Sequence, residues 1–387
     1  MMTNELRFPL TDLHRVYVEV DAREVFARWN EREDVSVHGN GVEGFLEAGE
    51  LFITSDRDRQ FNKERIEIEL PIHESLSFSV KAERGDVALE SPRGKLDLRV
   101  DSGDVKVDNG NGTLSLSSGK GDLKIDAFVG NVTATSGSGD KLFNDVTGDV
   151  TARSGRGEIK MLRGSGAVEI TGASGDVIIN DRDTTRLNVT NASGDVVIRG
   201  GRLGQTVIET ASGDIACNVP LTVATYDFTA ASGDMALAVQ RDLPLRVDAA
   251  TTRGSIRSDL PLVAIPQRGP RNPHGKRVVG STNDAPERAE ITMRTTSGDI
   301  HVEWSNAPAS TAAPAPSAAP VRSTPQEPIP VPAPAPSQPR NDDSMPQDLF
   351  DDDRRRVILN ALADGSLSVE EASRLLDAMG GSANGGR

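Results

Sequence analysis

Short runs in which apolar and polar residues alternate recur along the chain from about residue 15 to residue 304. Each run places apolar residues two positions apart, as in Leu96/Leu98 and Val105/Val107. Alternate residues of an extended strand point to opposite faces, so each pair marks one buried face of a short strand. A Ser-Gly-Asp triplet, or a close variant of it, separates one run from the next. The pattern therefore predicts a strand, a corner, a second strand and a connecting arc in every repeat.

The corner returns at a regular spacing. From Asp86 to Asp176 the acidic residue after the glycine recurs every 18 residues, and the next steps are 19, 19 and 20. The series continues at Ser255 and Asp299 after gaps of 21 and 44. Such spacing over many copies is the signature of a repeat architecture. The acidic residues at this position, called here the repeat-corner carboxylates, are Asp86, Asp104, Asp122, Asp140, Glu158, Asp176, Asp195, Asp214, Asp234 and Asp299.

The changes in repeat length favour one fold class. The segment from eight residues before each corner residue to three after it keeps its length, so every insertion falls in the arc between repeats. One constant edge and one variable edge are typical of a solenoid. We therefore predict an all-β repeat fold, a β-solenoid, with a small C-terminal α-hairpin on a Pro-rich linker. A β-sandwich is the alternative, although its strands need not carry the same residue at the same offset in every copy.

Composition and spacing divide the chain into five segments. The strands predicted in residues 1–80 are imperfectly spaced, and we expect them to be N-terminal capping strands of the repeat domain. Residues 81–305 are predicted to form β-solenoid repeats of about 18–21 residues, with an inserted loop at 259–290 and Trp304 covering the last coil. The Pro, Ala and Ser content of residues 306–346 predicts a disordered linker. A helical hairpin is predicted at 347–379, followed by a disordered tail at 380–387.

The Ser-Gly-Asp triplet has two interpretations. In the first it only forms a corner, where glycine supplies unusual backbone angles and the Ser and Asp side chains bind nearby backbone N–H groups. In the second it is a ligand motif, because stacked repeats would bring carboxylates to about 4.8 Å from one another. Such a row needs backbone donors or cations to offset charge repulsion. Calcium is the obvious cation, but the spacing differs from the calcium-binding nonapeptide repeat, and we assign no metal.

Two positions depart from the apolar pattern. After Asp140 the inward offsets hold Lys141 and Phe143, with Leu142 between them. This indicates either a bulge that shifts the register or a lysine at an opened edge. Cys217, the single cysteine, occupies an inward offset and is expected to be a buried, inert thiol.

The chain shows no recognised arrangement for catalysis or cofactor binding. The five histidines lack metal-ligand spacing, and neither a G-x-S-x-G nucleophile motif nor a phosphate-binding P-loop is present. Glycine-rich stretches such as the R-G-G-R sequence of residues 199–202 are expected to be turns. The sequence therefore predicts no catalytic residues and no cofactor.

The segment 347–379 has the pattern of two short amphipathic helices joined by a turn. Ser368 and Glu371 form a capping box at the start of the second helix. A hairpin of this length buries little apolar surface alone, so we expect it to self-associate or to bind a protein partner. The candidate interaction residues are Val369, Ala372, Leu376, Met379, Ile358 and Leu362.

Charge limits the remaining partners. A net charge of −15 argues against a nucleic-acid-binding surface. A basic cluster in the loop Arg268–Arg277 is a weak candidate site for an anionic partner. No apolar run is long enough for a membrane span, and the first residues do not resemble a signal peptide. We therefore expect a cytoplasmic protein, with a peripheral membrane or surface-displayed location as the alternative.

The repeats resemble a bacterial "putative adhesin" family of β-strand-repeat proteins that includes the LiaG- and YvlB-like envelope-stress proteins. The resemblance covers about residues 15–304 and rests on the lead-in RIEIELP and the S-G-D-V-x-[VI] repeats. The C-terminal stretch ILNALADGSLSVEEASRLLDAM is similar to short SHOCT-like helical hairpins. The resemblance implies a structural or binding role linked to stress of the cell envelope.

These observations lead to one functional hypothesis and two alternatives. We expect a non-catalytic scaffold, linked to cell-envelope or general stress, with the C-terminal hairpin mediating self-association or partner recruitment. The alternatives are a solenoid that binds or cleaves polysaccharide, and a surface adhesin exported by an unrecognised route.

Overall fold

The computed structural model describes residues 5–55, 65–73, 75–265, 275–282 and 285–305. All described residues belong to one compact unit, which lies within Met1–Ala313. This unit is all-β, with thirty strands and no helix among the described residues. The linker, hairpin and tail predicted after residue 305 lie outside the described residues.

The strands are numbered in chain order. The N-terminal strands are β1 (Glu5–Pro9), β2 (Arg15–Ala22), β3 (Val25–Asn30), β4 (Asp34–His38), β5 (Val42–Glu47), β6 (Glu50–Ser55), β7 (Ile66–Pro71), β8 (Ser77–Arg84), β9 (Val87–Glu90) and β10 (Arg93–Ser102). The central strands are β11 (Val105–Asp108), β12 (Asn111–Lys120), β13 (Leu123–Ser138), β14 (Lys141–Thr147), β15 (Val150–Ser154), β16 (Ile159–Ser165), β17 (Val168–Gly172), β18 (Val177–Asn180), β19 (Asp183–Ser193) and β20 (Val196–Arg199). The C-terminal strands are β21 (Arg202–Ser212), β22 (Ile215–Asn218), β23 (Thr225–Ser232), β24 (Met235–Val239), β25 (Leu245–Arg253), β26 (Ile256–Ser258), β27 (Val263–Ala264), β28 (Lys276–Ser281), β29 (Ala289–Ser297) and β30 (Ile300–Trp304).

Equivalent strands of successive repeats pair in parallel and in register. On one face Leu96 of β10 lies opposite Leu114 of β12, and on the other Val105 of β11 lies opposite Leu123 of β13. The offset between partners equals the repeat length, so each repeat is one coil stacked on the next. This stacking confirms the β-solenoid, and the sandwich alternative is wrong because it would not pair each strand with its own copy one repeat later.

The core runs along the inside of the coils. The apolar pairs of the repeat point inward and are fully buried, as are Leu96, Leu98, Val105 and Val107. Most coils bury aliphatic side chains in the same places, and the parallel register stacks them into continuous columns. The sequence pattern therefore becomes a row of similar core layers.

The glycine of each corner triplet allows the backbones of adjacent coils to approach closely. Gly103 has a φ of 144°, which L-residues with a side chain rarely adopt, and an added Cβ would lie 2.2 Å from the Gly85 carbonyl oxygen. Any other residue there would force the two coils apart. The glycine is therefore required by the stacking distance as well as by the turn.

The chain does not stack its coils in sequence order at either end. At the N-terminal end, β2 lies between β6 and β8, and β3 lies between β7 and β9. At the other end, β29 lies between β23 and β25. At the N-terminal end the chain forms the outermost coil after the coil beneath it and then passes on to the third coil, whereas at the other end it forms the outermost coil first and then returns to the coil beneath it.

The altered order of the coils at the C-terminal end explains the 44-residue gap in the repeat series and corrects the expectation for Trp304. In space, the coil of Asp299 lies between those of Asp234 and Ser255, because β30 pairs with both β24 and β26. Trp304 on β30 consequently belongs to the coil next to the last and does not cover the final one. It lies instead beside Arg241, whose guanidinium carbon is 5.7 Å from the ring centroid.

Antiparallel strands cover the outer edges of both end coils. At the N-terminal end, β5 pairs with β6 and β4 pairs with β7, while β28 pairs with β25 at the other end. Exposed parallel edges invite pairing with other chains. The added strands reverse direction there, which ends the parallel stack.

Candidate functional site

The repeat-corner carboxylates form a continuous ladder along one edge of the solenoid, called here the S-G-D edge. In most steps one carboxylate oxygen, Oδ1, accepts the backbone N–H of the equivalent residue in the adjacent coil. The donor–acceptor distances are 2.7–2.9 Å. The ladder follows the spatial order of the coils, running from Asp234 to Asp299 and then to the N–H of Ser255.

Backbone bonding decides between the two interpretations of the triplet. A stacked row of charges is costly unless each carboxylate is stabilised, and a bond from an N–H group to an ionised oxygen supplies that stabilisation. At Asp299 the Ser255 N–H lowers the pKa of the carboxyl group below its ordinary value. The triplet is therefore a corner whose acid joins one coil to the next.

The ladder is interrupted at Glu158. Its backbone N–H donates to Asp140 Oδ1 at 2.9 Å, but among the described contacts its own side chain accepts no bond from Asp176. Instead, Glu158 Oε1 lies 3.6 Å from Lys160 Nζ. The longer side chain thus exchanges a coil-to-coil bond for a surface ion pair.

The Asp residues of the ladder are exposed on their outer side, which leaves cation binding to be considered. Across the described residues, no group of three or more His, Cys, Asp or Glu side chains stands close enough together to hold a metal ion. Successive carboxylates lie in a line and already share backbone donors. A line of this kind provides no cage of several oxygens such as calcium prefers.

Lys141 points inward without any shift of register, so both alternatives offered for it are wrong. It lies opposite Leu123 and Ile159 and is only 2% exposed. Its Nζ donates to Gly139 O, Ser154 Oγ at 2.5 Å and Arg156 O at 2.8 Å. The sequence pattern cannot show that a buried lysine reaches a carbonyl group of its own corner and another in the corner of the adjacent coil.

The contact between Lys141 and Ser154 superficially resembles a catalytic Ser-Lys pair. Burial lowers the pKa of Lys141, as a lysine base would need. However, its three N–H donors are matched by three acceptors, which is the arrangement of an ammonium group, and Ser154 is itself buried. The pair therefore has a structural role at the corner.

Cys217 is buried as predicted. It is 3% exposed on β22, and burial raises the pKa of its thiol to about 12. The thiolate is the reactive form of cysteine. The site therefore provides no nucleophile at neutral pH.

The corners on the other side of the coils, six residues after each repeat-corner residue, form what is called here the opposite edge. Residues of different size follow one another there, and a glycine stands beside each of the two largest: Pro92, Gly110, Phe128, Val146, Gly164, Arg182 and Gly201. A Cβ on Gly110 would lie 2.5 Å from the Phe128 ring, and a Cβ on Gly164 would lie 2.7 Å from Arg182 Nη1. The glycines leave the space that their larger neighbours occupy.

Arg182 is fully buried on this edge and was not singled out in the sequence. Its two terminal nitrogens donate to four backbone carbonyl groups, those of Val146, Arg163, Gly148 and Ser165, at 2.6–3.2 Å. Burial lowers the pKa of the guanidinium group, which nevertheless stays charged in proteins. Arg182 thus connects three coils. Its only sequence signal is an arginine where the repeat elsewhere has glycine or an apolar residue.

The predicted basic cluster is only partly described. Lys276 and Arg277 lie on β28, whereas Arg268 and Arg271 fall outside the described residues. Arg277 makes a two-point contact with Asp248, at 2.8 and 2.6 Å, and this contact lowers the pKa of Asp248. At least one of the four basic residues is therefore occupied in holding β28 on β25.

The predicted hairpin contacts cannot be placed, because all six candidate interaction residues lie outside the described residues. Among those that are described, no helix is long and apolar enough to cross a membrane.

Two matches to a family model cover residues 41–163 and 129–303, and the family is Toastrack DUF4097. Together they span more than half of the chain. The chain belongs to the Toastrack DUF4097 family. This agrees with the repeat resemblance noted in the sequence, and the S-G-D corners lie within the matched region.

Solved structures with similarity to this Toastrack chain include a "putative adhesin" from Bacteroides fragilis. It is 17% identical, with a TM-score of 0.33, and the match covers 57% of this chain and 97% of that one. A "putative cell adhesion protein" from Clostridium sporogenes is 7% identical, with a TM-score of 0.17, and the match covers 79% of this chain and 100% of that one. No curated protein matches this chain.

Proposed function

We propose that this Toastrack protein is a non-catalytic binding scaffold, in which a rigid solenoid carries a C-terminal hairpin that self-associates or recruits a protein partner. The observation that supports it most directly is how the repeated polar groups are used. The ladder carboxylates, Lys141 and Arg182 all make hydrogen bonds that join one coil to another. These charged groups, which could have acted in catalysis, stabilise the stack instead.

Hydrogen bonds between side chains and adjacent coils give the solenoid the rigidity that a scaffold needs. Each coil of a solenoid contacts only its neighbours, so stability accumulates along the stack. Bonds added at both edges stiffen that stack without occupying the flat faces, which stay exposed for display. We further propose a link to cell-envelope or general stress and a cytoplasmic location, both from the family resemblance and the composition.

The hairpin is tested with the full-length chain in light scattering after size exclusion, and in pull-downs from the source cells. Leu376→Asp places a charge on the proposed apolar face, whereas Glu370→Ala, a matched control, changes a charged residue of the same segment. We expect the first variant to lose self-association or a captured partner and the control to retain it. Monomers in every case, together with no hairpin-dependent partner, would overturn the proposal.

A further inference from the structure

A cavity of about 500 Å³ lies on the arc side of the solenoid, at the turns that follow the short strands β20, β22 and β24. Its walls come from several coils: the turn Arg199–Arg202, the turn at Asn218, Gln240 and the chain at Ser305. This volume falls in the range of small-molecule sites, about 300–1,000 Å³. None of the roles described above uses it.

The cavity occurs where the residues of the turn change. In the coil before it, the turn has one residue with positive φ, Asp181, whereas the next turn has two consecutive glycines, Gly200 and Gly201, with φ of 63° and 70°. A Cβ on Gly200 would lie 2.0 Å from Asp181 Oδ1, and one on Gly201 would lie 2.2 Å from the Arg182 carbonyl oxygen. Side chains are therefore excluded from the floor of this turn.

The charged side chains of the cavity are not used in bonds between coils. Arg199 and Arg202 flank the two glycines and are exposed, and neither has a carboxylate within 4.0 Å among the described residues. Asp183, the acidic residue in the lining, likewise has no cation within that distance there. This contrasts with the ladder and with Arg182, whose polar groups have protein partners.

A hydrogen bond fixes which end of the Gln240 side-chain amide faces the cavity. Its Oε1 accepts the Leu221 N–H at 3.1 Å, so the amide nitrogen, with two donors, remains for the cavity. The lining thus combines two guanidinium groups, amide donors from Gln240 and Asn218, and one carboxylate acceptor from Asp183. Guanidinium groups bind carboxylate and phosphate in a two-point geometry, and the other groups match hydroxyl groups.

We propose that this cavity binds an acidic sugar unit, a sugar ring carrying a carboxylate or a phosphate. Arg199 and Arg202 bind the anionic group, while Asp183 and Gln240 bind ring hydroxyls. The inference deepens the proposed function and rests on it, since it gives the scaffold a ligand class. It does not involve the C-terminal hairpin, so the two proposals fail in different assays.

The test is isothermal titration calorimetry on the full-length protein with four probes: glucuronate, glucose 1-phosphate, inorganic phosphate and glucose. We expect saturable binding of glucuronate or glucose 1-phosphate, and the stronger of the two identifies the anionic group. Inorganic phosphate and glucose should each bind at least tenfold more weakly, because each lacks half of the recognised features. No saturable binding of either acidic sugar, or glucose binding as tightly as they do, would overturn the proposal.

Variants locate the binding. The double substitution R199A/R202A should weaken binding of the acidic sugar at least tenfold, and Asp183→Asn several-fold. Arg99→Ala, which removes another exposed arginine on a distant coil, should change nothing. Both cavity variants alter exposed side chains, so their urea unfolding midpoints should match the wild type. Unchanged affinity in R199A/R202A would show that the sugar binds elsewhere and would refute the assignment.

Discussion

The two edges of the solenoid solve the same stacking problem in different ways. On the S-G-D edge almost every coil carries the same residues, and each acid binds the backbone of its neighbour. On the opposite edge neighbouring coils carry different residues whose sizes complement one another, as Phe128 and Gly110 do. Identical residues can join the coils where each side chain binds the backbone, because the backbone is the same in every coil. Where a side chain contacts another side chain, the two must be matched in size.

This contrast predicts that substitutions on the opposite edge couple to a neighbouring coil, whereas those on the S-G-D edge act independently. Phe128→Ala removes a fully buried ring and should lower the free energy of unfolding by about 3–5 kcal/mol. Gly110→Ala alone should also destabilise, because its Cβ meets that ring. In the double variant the ring is gone, so the two costs should fall short of their sum by about 1 kcal/mol or more.

Urea unfolding of the four proteins measures this coupling. Val129→Ala is the matched control, since Val129 is the next residue and 52% exposed, and it should change stability by no more than about 0.5 kcal/mol. Strictly additive costs for Phe128→Ala and Gly110→Ala would show that the two residues are not matched.

The next largest effect concerns Arg182. Replacing it with Met keeps much of its volume but leaves four backbone carbonyl groups without the guanidinium donors, which should cost about 2–4 kcal/mol. Arg186→Met, which changes an exposed arginine of β19 four residues further along the chain, should be nearly neutral. If the two variants have equal urea midpoints, the buried guanidinium does not join the coils.

On the S-G-D edge the predicted effects are smaller. Asp195→Ala removes the acceptor of the Asp214 N–H, which lies at 2.8 Å, and should cost about 1 kcal/mol. Asp195→Asn retains an acceptor oxygen and removes a charge from the row, so it should stay within about 0.5 kcal/mol of the wild type. Amide hydrogen exchange should accelerate at Asp214 in the Ala variant alone. Equal exchange in both variants would mean that the ladder bond contributes nothing.

The smallest predicted effect is an increase in the free energy of unfolding. Glu158→Asp gives the ladder the shorter acid that its other positions have, and this lets the Asp176 N–H find an acceptor. We expect about 0.5–1 kcal/mol of added stability in urea unfolding. Glu158→Gln tests the alternative that loss of charge alone stabilises the edge. A gain in the Gln variant equal to that in the Asp variant would favour charge over geometry.

The sequence predicts the S-G-D edge better than the opposite edge for the same physical reason. A repeated triplet with fixed flanking residues indicates its own corner, and the stacking of the coils implies the backbone N–H donors that its carboxylate binds. The partners of Lys141 and Arg182 are carbonyl groups on neighbouring turns, and no side-chain pattern marks them. The cavity at Arg199–Arg202 leaves a fainter trace in the sequence, a turn with two consecutive glycines.

The exchanged order of the end coils is also invisible in the repeat spacing. A gap of 44 residues before Asp299 fits either an insertion within a sequential stack or a chain that goes out and returns. Only the pairing of β29 with both β23 and β25 distinguishes them. Equal repeats can stack on either neighbour, so local sequence does not determine their order.

That exchanged order has a mechanical consequence. The described chain leaves the solenoid at Ser305, directly after β30, and β30 is hydrogen-bonded along both edges, to β24 and to β26. A force applied through the C-terminal segment would therefore load a strand held on two sides and could not peel away a free outer layer one bond at a time. Both rows of bonds would have to break before β30 came free, so a chain that leaves the solenoid at Ser305 leaves from a strand held more firmly than one on an outermost coil.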